Sequence, residues 1–422
     1  MQEQHMTPTA ACEPVKLLIV SSDTWKPFRV DVTVLFGEEL AGRGHQFDWI
    51  LQSEDACEKD FDTPWGGGTA YVGRTDLGDS LLSRVRKHTL GILHDLTLFS
   101  RVRKGAYDAI EVKDKFISGI WAVIAKKRYK VKFIYWLSYP FPEDYLYRAG
   151  EPGTRWPFLY RIRGRVFHIL LYKFLIPNAD HVFVQSAQMK KDMIAEGVPA
   201  DLMTPVPMGI RVEPDAPAPA PRVERQRIPA GEQAILYLGT LHKVRRMDFV
   251  IRVLAKVLEQ EPGAKLYLIG KGVDDSDEQV LIDEAARLGV SDALVMVGQL
   301  PQAEALKYVR EADVCVSPFY PTPILNSTSP TKLVEYMAMS KAVVANDHPE
   351  QRLMIEESRA GYWVPYEEQA FADAIVKILR DPQEADAMGL RGYDYVVARR
   401  SYRVLADGVE KKLCEIAGKA LR

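Results

Sequence analysis

The chain has 422 residues, of which 47% are hydrophobic and 27% are charged, and its formal net charge at pH 7 is −2. This composition is typical of a soluble globular protein, and the length suits two or three domains better than one. No stretch reaches roughly 18 uncharged apolar residues, so the sequence argues against a membrane-spanning helix.

The N-terminal residues and the cysteines bear on the compartment. Residues 1–14 are polar and lack the apolar core of a signal peptide, so we expect a loose N-terminal tail. Cys12, Cys57, Cys315 and Cys414 show neither paired metal-binding spacing nor a disulfide-dense pattern. These features predict reduced thiols in a cytoplasmic protein.

Short apolar strands and helical segments alternate from residue 15 to residue 212. The first strand, Lys16–Val20, is followed by a helix predicted at Asp31–Ala41. Further strands are predicted at Gln46–Leu51, Ala109–Val112, Val131–Tyr135 and His181–Val184. Because parallel strands are joined through helices, this alternation predicts a parallel sheet covered by helices, in a domain spanning residues 15–212.

Residues 81–175 are strongly basic. They contain 19 Lys and Arg residues against 7 Asp and Glu residues, on a chain whose total charge is −2, which suggests an anionic partner. We expect Trp156–Ile176, together with Lys126–Lys130, to dock on an anionic membrane surface. A core helix with snorkelling cationic stems explains the composition of Trp156–Ile176 equally well.

The membrane hypothesis depends on which side chains of this segment face outward. Arg161, Arg163 and Arg165 would contact anionic lipid, and an apolar set would insert if it shares one outward face. That set is Trp156, Phe158, Phe167, Leu170 and Leu171. The chain shows no zinc-finger, helix-turn-helix or RNP signature, so we expect no nucleic-acid partner.

A change in composition marks the boundary to the second half. Residues 213–230 are rich in alternating Pro and Ala and predict a stiff, extended linker. Strands are predicted after it, alternating with helical stretches, near Ala234, Lys265, Leu294, Val314 and Ala342. This pattern predicts a second parallel α/β domain over residues 231–400. The amphipathic residues that follow, 401–422, predict a C-terminal helix.

The segment Leu325–Asp347 is the most informative about function. Ser329 and Pro330 are typical of the N-cap and the first position of a helix. The amide groups at a helix start bind anions, and Lys332 and Glu335 would lie close to them. A phosphate needs the amides and a Lys, whereas a ribose needs a hydrogen-bond acceptor such as Glu335. An ordinary, well-capped surface helix explains the same residues equally well.

Glycines end three of the predicted strands of the second domain. They are Gly239, Gly270 and Gly298. Ligands of open α/β sheets bind at the carboxyl ends of strands, and Gly lets the backbone approach a ligand closely. The loop after Gly239 carries Lys243 and Arg245, and we interpret it as a contact for an anionic ligand. A solvated basic loop is the alternative.

The sequence SPTKLVEYMAMSKAVVAND, at residues 329–347, resembles the nucleotide-sugar loop and helix of glycosyltransferase family 4, whose members are retaining enzymes with the GT-B fold. The similarity continues through ILYLGTLHKVRRMDFVIRVLAKV, AKLYLIGKG, ALVMVGQLP and ADVCVSPF in the second half, and through ADHVFVQSAQMKKDMIAEGV and PVPMGI in the first. The resemblance implies α/β architecture with two Rossmann-like domains facing a central cleft. The first domain would hold the acceptor and the second the nucleotide sugar, with the last helix crossing back to the first domain.

The function that this resemblance implies is retaining transfer of a sugar from a nucleotide-diphosphate donor to a lipid-linked or surface-polysaccharide acceptor. The enzyme would be cytoplasmic or peripheral on the inner face of the membrane. Arg245 and Lys332 would stabilise the charge on the leaving phosphates, with no cofactor and no metal ion strictly needed. The residues implied in donor binding are Gly239, Thr240, Lys243, Gly270, Gly298, Ser327, Thr328, Ser329, Thr331 and Glu335.

The acceptor side is less well marked in the sequence. Leu137 or Ser138 occupies the position where the family often has a His, and Ser138 is the polar candidate. Glu143 and Asp144 follow a rigid aromatic loop and could orient an acceptor hydroxyl. Solvent-facing loop charges are the alternative interpretation of these two carboxylates.

Departures from the family pattern keep two alternatives open. Ser327 stands where the family commonly has the first of two Glu residues, Thr240 stands where an Arg is common, and the His is absent. A glycosyltransferase-like subunit that has lost activity and serves assembly is therefore one alternative. The other is a GT-B nucleotide-sugar epimerase, which would need acid and base carboxylates in the cleft.

Overall fold

The computed structural model of the chain describes residues 13–55, 59–78, 80–212 and 217–420, apart from the side chains of Leu81 and Asp275. The tail predicted at residues 1–14 lies outside the described residues up to position 12. Two compact units divide the chain, one made of residues 1–207 and 402–422 and the other of residues 208–401. Each unit contains a parallel or mainly parallel sheet with helices, which confirms the predicted α/β class.

The first unit is built on an eight-stranded sheet. Its strands are β1 (Lys16–Trp25), β2 (Gln46–Ser53), β3 (Phe61–Trp65), β4 (Gly68–Gly73), β5 (Ala109–Lys113), β6 (Lys132–Leu137), β7 (His181–Val184) and β8 (Met203–Pro205). Their order in the sheet is β3-β4-β2-β1-β5-β6-β7-β8, and only β3 and β4 pair antiparallel. The central strands are buried on both faces, as is usual for parallel strands.

Helices cover both faces of this sheet. They comprise a π-helical segment (Asp31–Leu40), α1 (Leu81–Asp95), α2 (Leu98–Gly105), α3 (Phe116–Tyr129), α4 (Phe141–Arg148), α5 (Pro157–Ile169), a second π-helical segment (Leu170–Leu175), α6 (Ile176–Asn178) and α7 (Ala187–Ala195). The C-terminal helix α16 (Tyr402–Ala417) also belongs to this unit. It buries Tyr402 and Leu413 in the core, and Arg43 binds Asp407 and Glu410 at 2.7 and 2.6 Å.

The second unit is built on a six-stranded parallel sheet. Its strands are β9 (Gln233–Leu238), β10 (Ala264–Ile269), β11 (Leu294–Gly298), β12 (Val314–Ser317), β13 (Val343–Asn346) and β14 (Gly361–Val364), in the order β11-β10-β9-β12-β13-β14. The helices are α8 (Asp248–Leu258), α9 (Asp275–Leu288), α10 (Gln302–Glu311), α11 (Pro323–Asn326), α12 (Thr331–Ala338), α13 (Pro349–Ser358), α14 (Glu368–Arg380) and α15 (Pro382–Arg399). Strands occur at every position predicted for this half of the chain.

The segment predicted as a linker, residues 213–230, lies inside the second unit, because the division between the units follows Pro207. Residues 213–216 lie outside the described part of the chain. The rest is attached to the unit by side chains: Arg225 binds Asp313 at 2.7 Å, and Ile228 is buried in the core. The Pro and Ala composition predicts a separate, extended linker only where the segment has no contacts with a domain. Here Arg225 and Ile228 make such contacts, so the segment packs against the second unit.

The structure also bears on the state of the cysteines and on membrane-spanning helices. Cys315 is a free and buried thiol, whereas Cys414 is disulfide-bonded, so the expectation of reduced thiols is wrong for Cys414. Across the described ranges, no helix has the length and apolar character needed to cross a membrane.

Candidate functional site

The strand order of the second unit points to one edge of its sheet. The chain runs from β9 to β10 and β11 on one side and then places β12 on the other side of β9. Ligands of open α/β sheets bind outside the carboxyl ends of the strands at such a reversal. The loops that begin at Gly239 and Pro318 follow β9 and β12 at this point. The loop after Gly239 is the basic loop singled out in the sequence.

Gly239 allows the backbone and a lysine to meet closely at this edge. Its φ of +153° is one that other residues rarely adopt, and a Cβ there would overlap the ε-carbon of Lys332 and lie 3.1 Å from its Nζ. Gly270, with a φ of +145°, has the same constraint, because its Cβ would overlap the carbonyl of Gly239. Gly270 N–H also donates to the carbonyl of Gly298 at 2.9 Å. The three predicted glycines therefore form one tightly packed rim.

Lys332 and Arg245 lie on the same aromatic ring. Lys332 Nζ is 5.3 Å from the ring centre of Phe319 and 5.4 Å from that of Tyr237. The Arg245 guanidinium is 5.8 Å from the centre of Phe319. Burial, and then the nearby charge of Arg245, lower the pKa of Lys332 to about 8. The two cations repel each other, so an anion that binds between them would be favoured.

Glu335 lies one helical turn after Lys332 on α12. Its Oε1 accepts a hydrogen bond of 3.0 Å from Gln302, and burial raises the pKa of its carboxyl group. The next residue, Tyr336, is fully buried, and its hydroxyl accepts from the N–H of Leu238 at 2.8 Å. This contact attaches α12 to the end of β9. The lysine and the carboxylate are thus held on a fixed helix beside the glycine rim.

The start of α12 differs from the prediction. The helix begins at Thr331, and Ser329 does not cap it. Instead, the Ser329 hydroxyl accepts a hydrogen bond of 2.9 Å from the N–H of Met208. A buried backbone N–H requires a partner, and Met208 obtains it from a residue that is distant in sequence. Thr328 is predicted to contact the nucleotide sugar. Its hydroxyl donates a hydrogen bond of 2.7 Å to the carbonyl of Leu325, within the same loop.

The other residues predicted to contact the nucleotide sugar differ in their exposure to solvent. Thr240 and Lys243 are exposed, and the backbone N–H of Lys243 donates to Asp277 at 3.0 Å. Ser327 is buried and directly follows α11, while Thr331 is half-buried. The structure therefore brings Arg245, and not Lys243, to the ring of Phe319.

Sequence reasoning missed the residues that hold the loop between β12 and α12. The N–H of Phe319 donates to Asn346 Oδ1 at 2.6 Å, and His348 Nε2 lies 2.9 Å from the carbonyl oxygen of Leu325. Burial lowers the pKa of His348, which favours a neutral ring that donates to this carbonyl. Gln351 donates to the carbonyl of Ser317 at 3.1 Å. The signal that was available is the polar run Asn346-Asp347-His348 directly after an apolar strand.

The acceptor-side candidates lie in the first unit. Ser138 is buried at the end of β6, and its N–H and hydroxyl both donate to Asp114. Glu143 and Asp144 lie in the first turn of α4 rather than in a loop. Glu143 accepts from the Tyr172 hydroxyl at 2.8 Å, and Asp144 pairs with Arg148 at 2.8 Å. The interpretation of the pair as solvent-facing loop charges is therefore wrong, since both lie on α4 and Asp144 is buried, whereas their orienting an acceptor hydroxyl stays a prediction.

The basic segment of the first unit has one apolar face turned to solvent. Six large side chains of α5 and its flank are between 51% and 61% exposed, namely Trp156, Phe158, Leu159, Ile162, Val166 and Ile169. The predicted inserting set is wrong for three members. Phe167 stacks on Phe116 at 4.5 Å, Leu171 is buried, and Leu170 is partly buried against the core. The outward face is thus larger than predicted and composed differently.

Two family models match the chain. Residues 31–209 match the model described as "Glycosyl transferase 4-like domain", and residues 232–381 match the model described as "Glycosyl transferases group 1". The curated relatives include the D-inositol 3-phosphate glycosyltransferase of Nocardia farcinica, which is 26% identical over 56% of this chain and 53% of that protein. The phosphatidyl-myo-inositol mannosyltransferase of Mycolicibacterium smegmatis is 32% identical over 47% of this chain and 46% of that protein. The chain thus spans about half the length of these curated relatives.

Solved structures support the architecture. The sucrose-phosphate synthase of Thermosynechococcus elongatus superposes with a TM-score of 0.71 and covers 96% of this chain and 99% of its own, at 20% identity. At this identity the likeness establishes the fold alone. Together with the two parallel-sheet units, it confirms the expected GT-B fold class.

Proposed function

This chain belongs to the glycosyltransferase 4-like family, and we propose that it transfers a sugar from a nucleotide-diphosphate donor to a lipid-linked or surface-polysaccharide acceptor, with retention of configuration. The observation that carries the proposal is the convergence of Lys332 and Arg245 on Phe319, beside the glycine rim and within one turn of Glu335.

The chemistry of the donor step follows from this arrangement. Breaking the bond between the sugar and the diphosphate leaves negative charge on the phosphate oxygens. Lys332 and Arg245, already forced together, stabilise this charge more strongly in the transition state than in the bound donor. Glu335 accepts hydrogen bonds from the ribose hydroxyls after its hydrogen bond with Gln302 breaks. In this scheme the two side chains neutralise the leaving group and no metal ion is required.

Two observations support a lipid-linked acceptor. Two relatives are named for acceptors that carry an inositol ring, and one of these acceptors is a membrane lipid. The exposed face of α5 supports a lipid-linked acceptor for this chain as well. No acidic residue occurs between Gly153 and Ala179, and Arg161, Arg163 and Arg165 are all exposed. An apolar stripe flanked by cations suits a surface with anionic lipid headgroups.

The side of α5 that packs against α4 also indicates that the apolar face of α5 is turned to solvent. Gly164 faces α4, where a Cβ would meet Leu146 at 2.8 Å, so this side is closely packed. The guanidinium of Arg163 lies 4.3 Å from the ring centre of Tyr145. In the second basic segment, Lys126 pairs with Asp180 at 2.8 Å, while Lys127 and Arg128 are exposed. We therefore propose that the protein binds a membrane surface peripherally through α5.

Two assays test the proposed transfer. Thermal unfolding of the full chain is first followed with a panel of nucleotide-diphosphate sugars, because a ligand that binds only the folded state raises the unfolding temperature. The stabilising donor is then incubated with phosphatidyl-myo-inositol vesicles, and the product is analysed by mass spectrometry and by NMR of the new anomeric centre. The proposal requires a glycosylated product with the donor's configuration.

The same assays separate the two alternatives. An inactive assembly subunit binds the donor but releases neither free sugar nor glycosylated product. A nucleotide-sugar epimerase converts the donor into its epimer without any acceptor. Either result contradicts the proposed transfer.

A further inference from the structure

The side chain of Arg245 is positioned by the backbone of its loop. Residues Lys243–Arg245 form a single 3-10 turn, in the loop that follows β9. The guanidinium of Arg245 lies 5.8 Å from the ring centre of Phe319, and it makes no hydrogen bond or ion pair with any residue that the structure describes. The place of the guanidinium therefore depends on how the turn itself is held.

One carboxylate holds this turn. The N–H of Lys243 donates a hydrogen bond of 3.0 Å to Oδ1 of Asp277, a buried residue of α9. Across the described ranges, no other hydrogen bond joins the turn to a residue outside its loop, because the remaining ones lie within residues 242–246. Asp277 thus provides the hydrogen bond that attaches the turn to the rest of the second unit.

The second oxygen of Asp277 binds the neighbouring loop. Its Oδ2 accepts from the N–H of Val273 at 2.8 Å and from the N–H of Asp274 at 3.4 Å. These two residues follow β10, whereas Lys243 follows β9, and the two strands are adjacent in the sheet. A single carboxylate therefore joins two of the loops at the carboxyl edge of the second sheet.

Capping of α9 explains only half of this arrangement. Asp277 is the third residue of α9 and forms a capping box with the N-cap residue, Asp274. In a capping box the third residue accepts a hydrogen bond from the backbone of the N-cap, and Oδ2 serves that purpose here. The hydrogen bond between Oδ1 and Lys243 contributes nothing to the start of the helix. It is a contact with the loop that carries Arg245.

The charge of Asp277 is unfavourable for anion binding in this region. The N–H of Lys243, followed by those of Val273 and Asp274, holds the pKa of the Asp277 carboxyl group below its ordinary value, so the group is ionised at neutral pH. A negative charge beside the loop that would contact a diphosphate weakens anion binding by Coulomb repulsion. A role in fixing the loops explains why a carboxylate stands at this position.

We propose that Asp277 is a positioning residue for the donor step, which holds the N–H of Lys243 and thereby fixes the turn that presents Arg245 to the leaving phosphates. Asp277 contacts neither the donor nor the acceptor, and its effect on the phosphates passes through Arg245. This inference rests on the proposed function, because it describes how the same donor site is held in place.

Calorimetric titration of the full chain with inorganic pyrophosphate tests the inference, because this probe has the diphosphate group without a base or a sugar. Asp277→Ala, Arg245→Met and the double variant form a double-mutant cycle. Asp274→Ala is the matched control. It removes an exposed carboxylate from the same region, together with the N-cap of α9, and leaves the contact between Asp277 and Lys243 in place.

The cycle has a distinctive expected result. Asp277→Ala should weaken pyrophosphate binding by up to roughly tenfold, the loss expected for Arg245→Met itself. The double variant should bind no more weakly than Arg245→Met, since Asp277 acts through Arg245. Coulomb repulsion alone predicts tighter binding after removal of either carboxylate, so Asp274→Ala should bind at least as tightly as the parent while Asp277→Ala binds more weakly.

Three results would overturn the positioning role. They are a parent that binds no pyrophosphate, an Asp277→Ala variant that binds as tightly as the parent, and losses in Asp277→Ala and Arg245→Met that add in full. Equal weakening by Asp274→Ala would overturn it too, because the effect would then belong to the start of α9. If Asp277→Ala does not fold, Asp277→Asn replaces it in the cycle, since it keeps one oxygen for the helix and lacks the second for Lys243.

A pH profile provides a readout that a purely structural role would not change. The charge of Arg245 helps to lower the pKa of Lys332, whereas Glu335 acts in the opposite direction. When Asp277→Ala releases Arg245, the pKa of Lys332 should rise. The alkaline limb of kcat/KM, measured with the nucleotide sugar that stabilises the parent, should then move to higher pH. A limb that stays at the parent's pH contradicts the positioning role.

These outcomes separate the inference from the proposed function. If the parent transfers a sugar but the losses of Asp277→Ala and Arg245→Met add in full, only the positioning role of Asp277 is contradicted. If the pyrophosphate cycle gives the expected result but the parent transfers no sugar, the proposed transfer is contradicted and the positioning role is supported.

Discussion

Lys332 occupies the space that a side chain on Gly239 would need: an ideal Cβ at Gly239 overlaps the ε-carbon of Lys332. The glycine thus determines where the lysine lies, at the carboxyl end of β9 and against Phe319. Because Lys332 is also close to Arg245, displacing it would separate the two cations that the proposed donor step requires.

Gly239→Ala should therefore lower turnover through Lys332. The new methyl group must displace the lysine, and the φ of +153° is strained for alanine, so we expect stability to fall by about 1–3 kcal/mol. Turnover and thermal unfolding of the variant are compared with those of Gly263→Ala, where a Cβ meets nothing within 4 Å. Equal turnover in the two variants would show that the position of Lys332 does not matter.

Glu335→Ala should weaken binding of the nucleotide sugar. A hydrogen bond to a charged acceptor contributes roughly 1–3 kcal/mol, so we expect affinity to drop by that amount in titration calorimetry. Glu259→Ala, an exposed glutamate on the same unit, is the control. If Glu335→Ala folds normally and binds the donor as tightly as the control does, the ribose is held by another residue.

The pH dependence of kcat/KM should report the charge of Lys332. Burial and Arg245 lower its pKa to about 8 in the free protein, below the ordinary value of a lysine. The protonated form is the one that attracts a diphosphate, so kcat/KM should decrease as pH rises through about 8.

Replacing the lysine identifies the source of this decrease. Arginine stays protonated at all accessible pH values, so Lys332→Arg should lose the alkaline limb even if its maximal rate is lower. A limb that persists in Lys332→Arg belongs to a different group.

More of the second unit than of the first could be predicted from the sequence. Lys332 and Glu335 share one helix, so their proximity follows from local spacing alone. The partner of Ser329 is Met208, 121 positions away, and no local pattern can reveal such a contact. The family resemblance favoured Arg245 over Lys243, but its contact with Phe319, a residue after a different strand, could not be predicted from local spacing.

The first unit shows the same limit more clearly. Arg29, Lys113 and Ser138 meet only because β1, β5 and β6 are neighbours in the sheet. The orientation of α5 could not be predicted, because its sequence is apolar and basic on every side. Packing decided it: Phe167 stacks inside on Phe116, and Ile162 is left outside.

Arg245→Met and Lys332→Met should each reduce turnover more than donor affinity. The charge on the leaving phosphates grows towards the transition state, so the contribution of a cation is largest there. Lys256→Met is the control, since Lys256 lies on α8 of the same unit and pairs with Glu259. Steady-state kinetics and calorimetry on the proposed donor separate the two effects. Full turnover in both variants would place the phosphate contacts elsewhere.

The exposed face of α5 should bind anionic vesicles through both its apolar and its cationic side chains. In co-sedimentation, the parent should bind vesicles rich in anionic lipid and not zwitterionic ones, and added salt should weaken binding because it screens exposed charges. Replacing Arg161, Arg163 and Arg165 by Gln should reduce binding, since each cation near such a surface contributes about 1 kcal/mol. Ile162→Ser with Val166→Ser should reduce it further by removing inserted apolar area.

The control for this experiment is a pair of exposed apolar residues in the second unit. Val280→Ser with Ile282→Ser removes a comparable pair on α9, which are 50% and 44% exposed, and should leave vesicle binding unchanged. The α5 variants should also retain donor-induced stabilisation, because their substitutions lie in the other unit. If the parent and the triple-Gln variant sediment equally, α5 is not the membrane contact. If the α9 pair weakens binding as much as the α5 pair does, the effect is a general loss of apolar surface.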